Sequence, residues 1–211
     1  MGAPGLTRWL SAIEGNAAVP AAAAPPEPAA PAIRAAGKDY AMSGPPTISK
    51  SVFHDALVHH ASPAIVDFEK LQINSAMAEV YYDIPVAFTL DPNVALAFFL
   101  HESGMGKEGY AAHTLNWGNL REGQGQIKND GAMAYYSWWG QGLYDWCRLI
   151  KESGLYLPSH NTVSKVTPVY APSADQNSPA QYADAVNQQC ALWEGLSAAL
   201  VAQRAPRPAG A

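Results

Sequence analysis

Val94-Ala95-Leu96-Ala97-Phe98-Phe99-Leu100-His101-Glu102-Ser103-Gly104-Met105-Gly106 is the stretch on which the fold turns. Asp91-Pro92 stands before it as a cap and first-turn proline, and the glycines follow at once as a stop. An apolar run of this length is too short to span a bilayer and reads as a core helix. It ends in a carboxylate. Burial disfavours the ionised form, and the negative end of the helix dipole acts in the same direction. Glu102 can therefore hold its proton near neutral pH, as a general acid must; the alternative is a helix-end glutamate that simply reaches water.

Working outward from this helix, the flanking segments repeat the helical signature. Thr47 or Ser49 can cap a helix carrying Val52, Phe53, Ala56, Leu57 and His60. Ser62-Pro63 opens a second helix through Phe68 and Leu71 towards Val80. From Asn116 to Tyr136 the glycines at 118, 123, 125 and 131 break any helical period, which predicts a loop or small β-hairpin lobe. Helical spacing returns at Leu143, Trp146, Cys147 and Ile150. Lys165 to Pro172 is expected to be extended because of Pro168 and Pro172. A last helix is expected from about Pro179 to Ala202, with Tyr182, Val186, Cys190 and Trp193 near one stripe. The fold class that results is mainly α with a small Gly-rich lobe.

Residues 19–31 read VPAAAAPPEPAAP, which offers no side chains for a core. Residues 1–46 are therefore expected to be a disordered Ala/Pro-rich leader, 47–202 the domain, and 203–211 a flexible tail. The formal net charge of -5 argues against a dedicated nucleic-acid binder. No apolar run predicts a membrane span, and the first ten residues lack the apolar core of a signal peptide. Cys147 and Cys190 read as small core residues. A bridge between them requires their two helices to pack together.

Two chemistries compete at His101-Glu102. The zinc pattern H-E-x-x-H needs a second histidine at position 105, where Met105 stands. His54, His59, His60, His113 and His160 show no ligand spacing, so no metal and no cofactor are expected. Acid catalysis on a sugar fits better. Asn116-Trp117-Gly118-Asn119-Leu120, Tyr136, Tyr156 and Tyr170-Ala171-Pro172 follow in order. Aromatic rings pack on pyranose faces, and Asn amides both donate and accept for hydroxyl and N-acetyl groups. One ring of Trp138-Trp139 is expected to pack while the other lines a cleft.

This ordered set resembles the glucosaminidase family of peptidoglycan hydrolases, glycoside hydrolase family seventy-three of the lysozyme-like superfamily. The resemblance rests on Glu102-Ser103-Gly104-Met105-Gly106, residues 116–120, Tyr136, Tyr144-Asp145-Trp146-Cys147-Arg148-Leu149-Ile150, Tyr156, Tyr170-Ala171-Pro172, Asn177 and Tyr182. It covers about Asp91 to Gln189. It implies a lysozyme-like helical domain that cleaves β-1,4 bonds between amino sugars of the bacterial cell wall. Glu102 is then the general acid and Tyr156 the cleft tyrosine. Asn116, Trp117, Asn119, Tyr136 and Tyr170 are the expected substrate-binding residues.

The chain departs from the family at Trp117-Gly118-Asn119, a form shared with lytic transglycosylases, where Phe-Gly is usual. The second carboxylate is open between Glu122 and Asp130, with Glu122 the candidate carried forward and a plain solvated loop acid the alternative for each. The alternative functions are a lytic transglycosylase leaving anhydro-muramic ends, and a non-catalytic glycan-binding or virion module. The expected partner is cell-wall glycan, met by a monomer at the cell envelope after secretion or phage delivery.

Overall fold

The computed structural model describes residues 37–61, 76–129, 132–173 and 177–204. Among them, seven helices and one two-stranded sheet are formed. In chain order the helices are α1 (Lys50–His60), α2 (Ala76–Ala87), α3 (Pro92–Ser103), α4 (Ala111–Thr114), α5 (Trp139–Glu152), α6 (Val163–Tyr170) and α7 (Pro179–Arg204). Strands β1 (Lys128–Asn129) and β2 (Ala134–Tyr135) pair antiparallel, with Lys128 opposite Tyr135. The mainly helical class and the small hairpin lobe are as expected.

α3 is the central element. Every residue from Pro92 to Phe99 is buried, so the helix is enclosed on all faces. α7 and α1 pack along it, and α2 joins it to α5. Its start is the expected device: the Asp91 side chain accepts from Asn93 N at 3.0 Å, with Pro92 in the first turn. Asp91 also takes the Thr47 hydroxyl at 2.7 Å, so Thr47 ties two helix starts together. Ser49 is the residue that caps α1, through Val52 N.

Two expectations need correction. Lys165 to Pro172 is largely helix, not extended chain, for α6 runs through Pro168 to Tyr170. Val163, Val166 and Thr167 bury at helical spacing, and α6 lies along α7. That burial outweighs the one backbone hydrogen bond that Pro168 cannot donate. The domain also begins before residue 47. Tyr40 and Met42 are 1% exposed. Met42 N donates to Asn161 O at 2.9 Å, and Asp91 N donates to Met42 O at 3.1 Å. Tyr40 N donates to the Asn187 side chain at 3.0 Å. Residues 37–46 thus form a strap across α7 and the start of α6. The rest of the expected leader, residues 1–36, and the helix start at Ser62-Pro63 lie outside the described residues. So does most of the tail.

Cys147 and Cys190 are both buried and both free thiols. Desolvation pushes each thiol well above its ordinary pKa, as fits small core residues.

The strap yields a direct stability test. Burying a Met side chain contributes about 1.5–3 kcal/mol, and Tyr40 adds a buried ring. A chain starting at Thr47 should therefore be at least roughly 3 kcal/mol less stable than one starting at Gly37. Urea unfolding of the two chains measures this, and equal midpoints would contradict it.

Candidate functional site

The site is assembled at the C-terminal end of α3. Gly104 caps the helix in the left-handed region, at φ 57°, and its N–H returns to Leu100 O at 2.9 Å. Ser103 is buried and accepts from Gly106 N at 2.9 Å, which turns the chain sharply away. Glu102, one residue before, is left at the helix edge.

Glu102 is partly exposed as a residue, but its carboxyl is turned into a cradle. The Tyr182 hydroxyl donates to Oε1. Asn119 Nδ2 donates to Oε2 at 2.9 Å and to the Glu102 carbonyl at 3.1 Å. Desolvation raises the carboxyl above its ordinary value, and these two hydrogen bonds lower it by less. The shift is thus upward, the direction expected for a buried acid, with desolvation as its cause.

Asn119 is itself held. It sits at φ 50°, a left-handed conformation that Asn tolerates better than most residues. The preceding Gly118 carbonyl accepts from the Tyr170 hydroxyl at 2.5 Å, and Trp146 Nε1 donates to that hydroxyl at 3.1 Å. A side chain at Gly118 has no room, because its Cβ would lie 2.1 Å from the Trp146 ring. Trp146, Tyr170, Gly118 and Asn119 thus form a chain of contacts ending on the acid. Tyr156, 7% exposed, places its ring 6.1 Å from Tyr170, which is 6.3 Å from Tyr182. Burial raises all three phenols above their ordinary range, so each remains a hydrogen-bond donor at neutral pH.

Several expected sugar contacts have structural roles instead. Trp117 is fully buried, stacks on Phe99 with centroids 3.8 Å apart, and donates to Ala95 O at 3.0 Å. Asn116 is fully buried and knits the loop, bonding Leu120 N, Leu120 O and Ala134 O. Tyr136 is 3% exposed, and its phenol is raised by desolvation and by the neighbouring Asp145. Tyr170 and Asn119 act on the acid's surroundings. Trp139 packs on Phe99 within the core, while Trp138 is half-buried against Tyr81.

The hairpin lobe is anchored by Asp145, a buried acid on α5. Its carboxylate accepts from Gly125 N at 2.7 Å and pairs with Arg148 at 3.3 Å. Glu122, in the same lobe, points its charge to solvent, and the residues bonded to Glu102 do not include it. Asp130 lies outside the described residues. Among the described residues no group of three or more His, Cys, Asp or Glu could hold a metal ion.

In the sequence Tyr182 stands on the apolar stripe of the last helix and among the residues of the family resemblance, with no sign of its partner. Its hydroxyl on Glu102 spans 80 positions of chain, and no local pattern signals that. His101 is the other neighbour: its ring lies 4.0 Å from the Tyr182 ring, and desolvation lowers its pKa.

No protein-family model, no curated protein and no solved structure matches this chain.

The raised carboxyl has a signed consequence for stability. Below the ordinary value of 4.5, Glu102 is protonated whether the chain is folded or not. As pH rises from there to the raised folded value, only the unfolded chain ionises, so folding stability is lost. Glu102→Gln cannot ionise and removes that loss. The variant's stability relative to wild type should climb across this window and then level off. Urea unfolding over a pH series reads the difference, and a pH-independent difference would refute it.

Proposed function

We propose that the protein is a peptidoglycan hydrolase that cleaves β-1,4 bonds between amino sugars, with Glu102 as general acid. The observation that carries the reading is the Glu102 carboxyl. It is desolvated above its ordinary pKa and held by Tyr182 and Asn119 at the end of a helix buried from Pro92 to Phe99. The ordered resemblance to the glucosaminidases and the mainly helical arrangement around that helix support it further.

In this reading Glu102 donates its proton to the glycosidic oxygen as the bond from the anomeric carbon to that oxygen breaks. The cation-like sugar is then captured by a nucleophile. For hydrolysis that nucleophile is water, and Glu122 is the proposed base that takes its proton. Tyr170, partly exposed, is the aromatic residue proposed to meet the sugar beside the acid, with Tyr156 packed behind it. No cofactor enters this chemistry.

One observation favours a second reading. Desolvation, Tyr182 and Asn119 account for the shift of Glu102, with no carboxylate contributing, and Glu122 is solvent-exposed. Capture from within the substrate meets that arrangement without a second acid. The N-acetyl oxygen can attack, or the sugar's own hydroxyl can close an anhydro ring as in a lytic transglycosylase, returning its proton to the Glu102 carboxylate left by the first step.

Digestion of purified peptidoglycan followed by mass spectrometry separates these cases. The expected products carry ordinary reducing ends, and anhydro-muramic ends would assign the transglycosylase. Glu102→Gln, with its fold intact by circular dichroism, should lose about a hundred- to ten-thousand-fold in rate. A folded Gln variant cleaving at the wild-type rate would overturn the role of Glu102. A wild type that binds glycan and never cuts it would make the protein a binding module.

A further inference from the structure

We propose that Tyr182 is the positioning residue of the Glu102 acid, a two-way hydrogen-bond partner that fixes the direction of the carboxyl in both of its protonation states. The inference rests on reading Glu102 as the acid.

Asn119 meets Glu102 through Nδ2, which only donates, and it donates to both the carbonyl and Oε2. It therefore always occupies a lone pair of Oε2 and offers no acceptor to a proton there. The Tyr182 hydroxyl meets the other oxygen, Oε1. A phenol both donates and accepts. It can give its hydrogen to the carboxylate and, after rotation about the C–O bond, accept from the carboxylic acid. Of the two partners, Tyr182 alone can follow Glu102 through a proton transfer without leaving a buried polar atom unpaired.

Tyr182 is also stiffly held. Its ring lies 4.0 Å from the His101 ring and 5.5 Å from the Phe98 ring, with Tyr170 at 6.3 Å on the α6 side. It is carried on α7, the long helix that packs along α3. The ionisable groups facing the pair are His101 from α3, Tyr170 from α6 and Tyr156 from the turn before it. Burial keeps both tyrosines protonated and lowers the pKa of His101, so no cation is supplied to hold the carboxylate in the phenol's place.

Tyr182→Phe is the test, since it keeps the ring and its packing and removes only the hydroxyl. Two readouts are needed. The first is the titration of the Glu102 side chain by NMR with isotope-labelled glutamate, in the full chain without substrate. The hydroxyl donates to the ionised form, so its loss should move the Glu102 titration to higher pH. The second is the pH profile of wall cleavage. Its basic limb, where the acid loses its proton, should move up in step, while kcat falls roughly ten-fold or more with KM little changed. An unchanged Glu102 titration in the folded Phe variant overturns the proposal, as does a rise in KM with kcat and the basic limb unmoved. Tyr182→His, which restores a polar hydrogen at the ring's edge, is the second variant. It should recover part of the titration shift, and a folded His variant that titrates as the shifted Phe variant does counts against the proposal. The titration needs no activity. A shifted titration in a protein that cuts no glycan would therefore sink the hydrolase reading and leave the Tyr182 contact standing, whereas cleavage with an unmoved titration would do the reverse.

Discussion

Enclosing α3 is the constraint on which the rest of the structure depends. Eight consecutive residues from Pro92 to Phe99 are buried, and six of them are aliphatic or aromatic. A helix with apolar side chains on every face cannot lie on a surface and must be surrounded. α1, α2 and α7 do this, with the strap of residues 37–46 bonded to the chain just before it. Solvent reaches α3 only towards its C-terminal end, where Leu100, His101 and Glu102 keep partial exposure. The carboxyl stands at that boundary, and the same packing that builds the core desolvates it.

The electrostatics of Glu102 are then a contest between two terms of opposite sign. Removing water from the carboxyl favours the neutral acid, and two donated hydrogen bonds favour the anion. Desolvation is the larger, so the acid keeps its proton to a higher pH than a surface glutamate. No charged partner takes part. That distinguishes Glu102 from Asp145, whose buried carboxylate is met by Arg148 and the Gly125 N–H and serves to pin the hairpin lobe.

The aromatic residues divide along the same boundary. Trp117, Trp139 and Trp146 are 0–3% exposed and fill the space around α3. The tyrosines at 156, 170 and 182 form the layer between that core and the acid. Large rings satisfy a core and a sugar-binding surface equally well by composition. A reading from sequence order alone therefore placed Trp117 on the wrong side of the boundary. Tyr136 failed for the same reason, and Asn116 because a buried amide that ties a loop looks in sequence like one that greets a ligand.

What the sequence determined by itself was whatever depends on local chemistry. The capped apolar helix at Asp91-Pro92, its stop at Gly104, the irregular lobe after Asn116, the amphipathic stripe of α7 and the raised acid at Glu102 all follow from neighbours within a turn or two. The tertiary structure decided the contacts between distant segments. It brought Tyr182 to Glu102, seated Tyr40 and Met42 on the domain despite the Ala/Pro sequence before them, and made α6 a helix through Pro168 by burying it on α7. In each case the deciding free energy is a contact with another element of the fold, and no local propensity or spacing encodes where that surface will be.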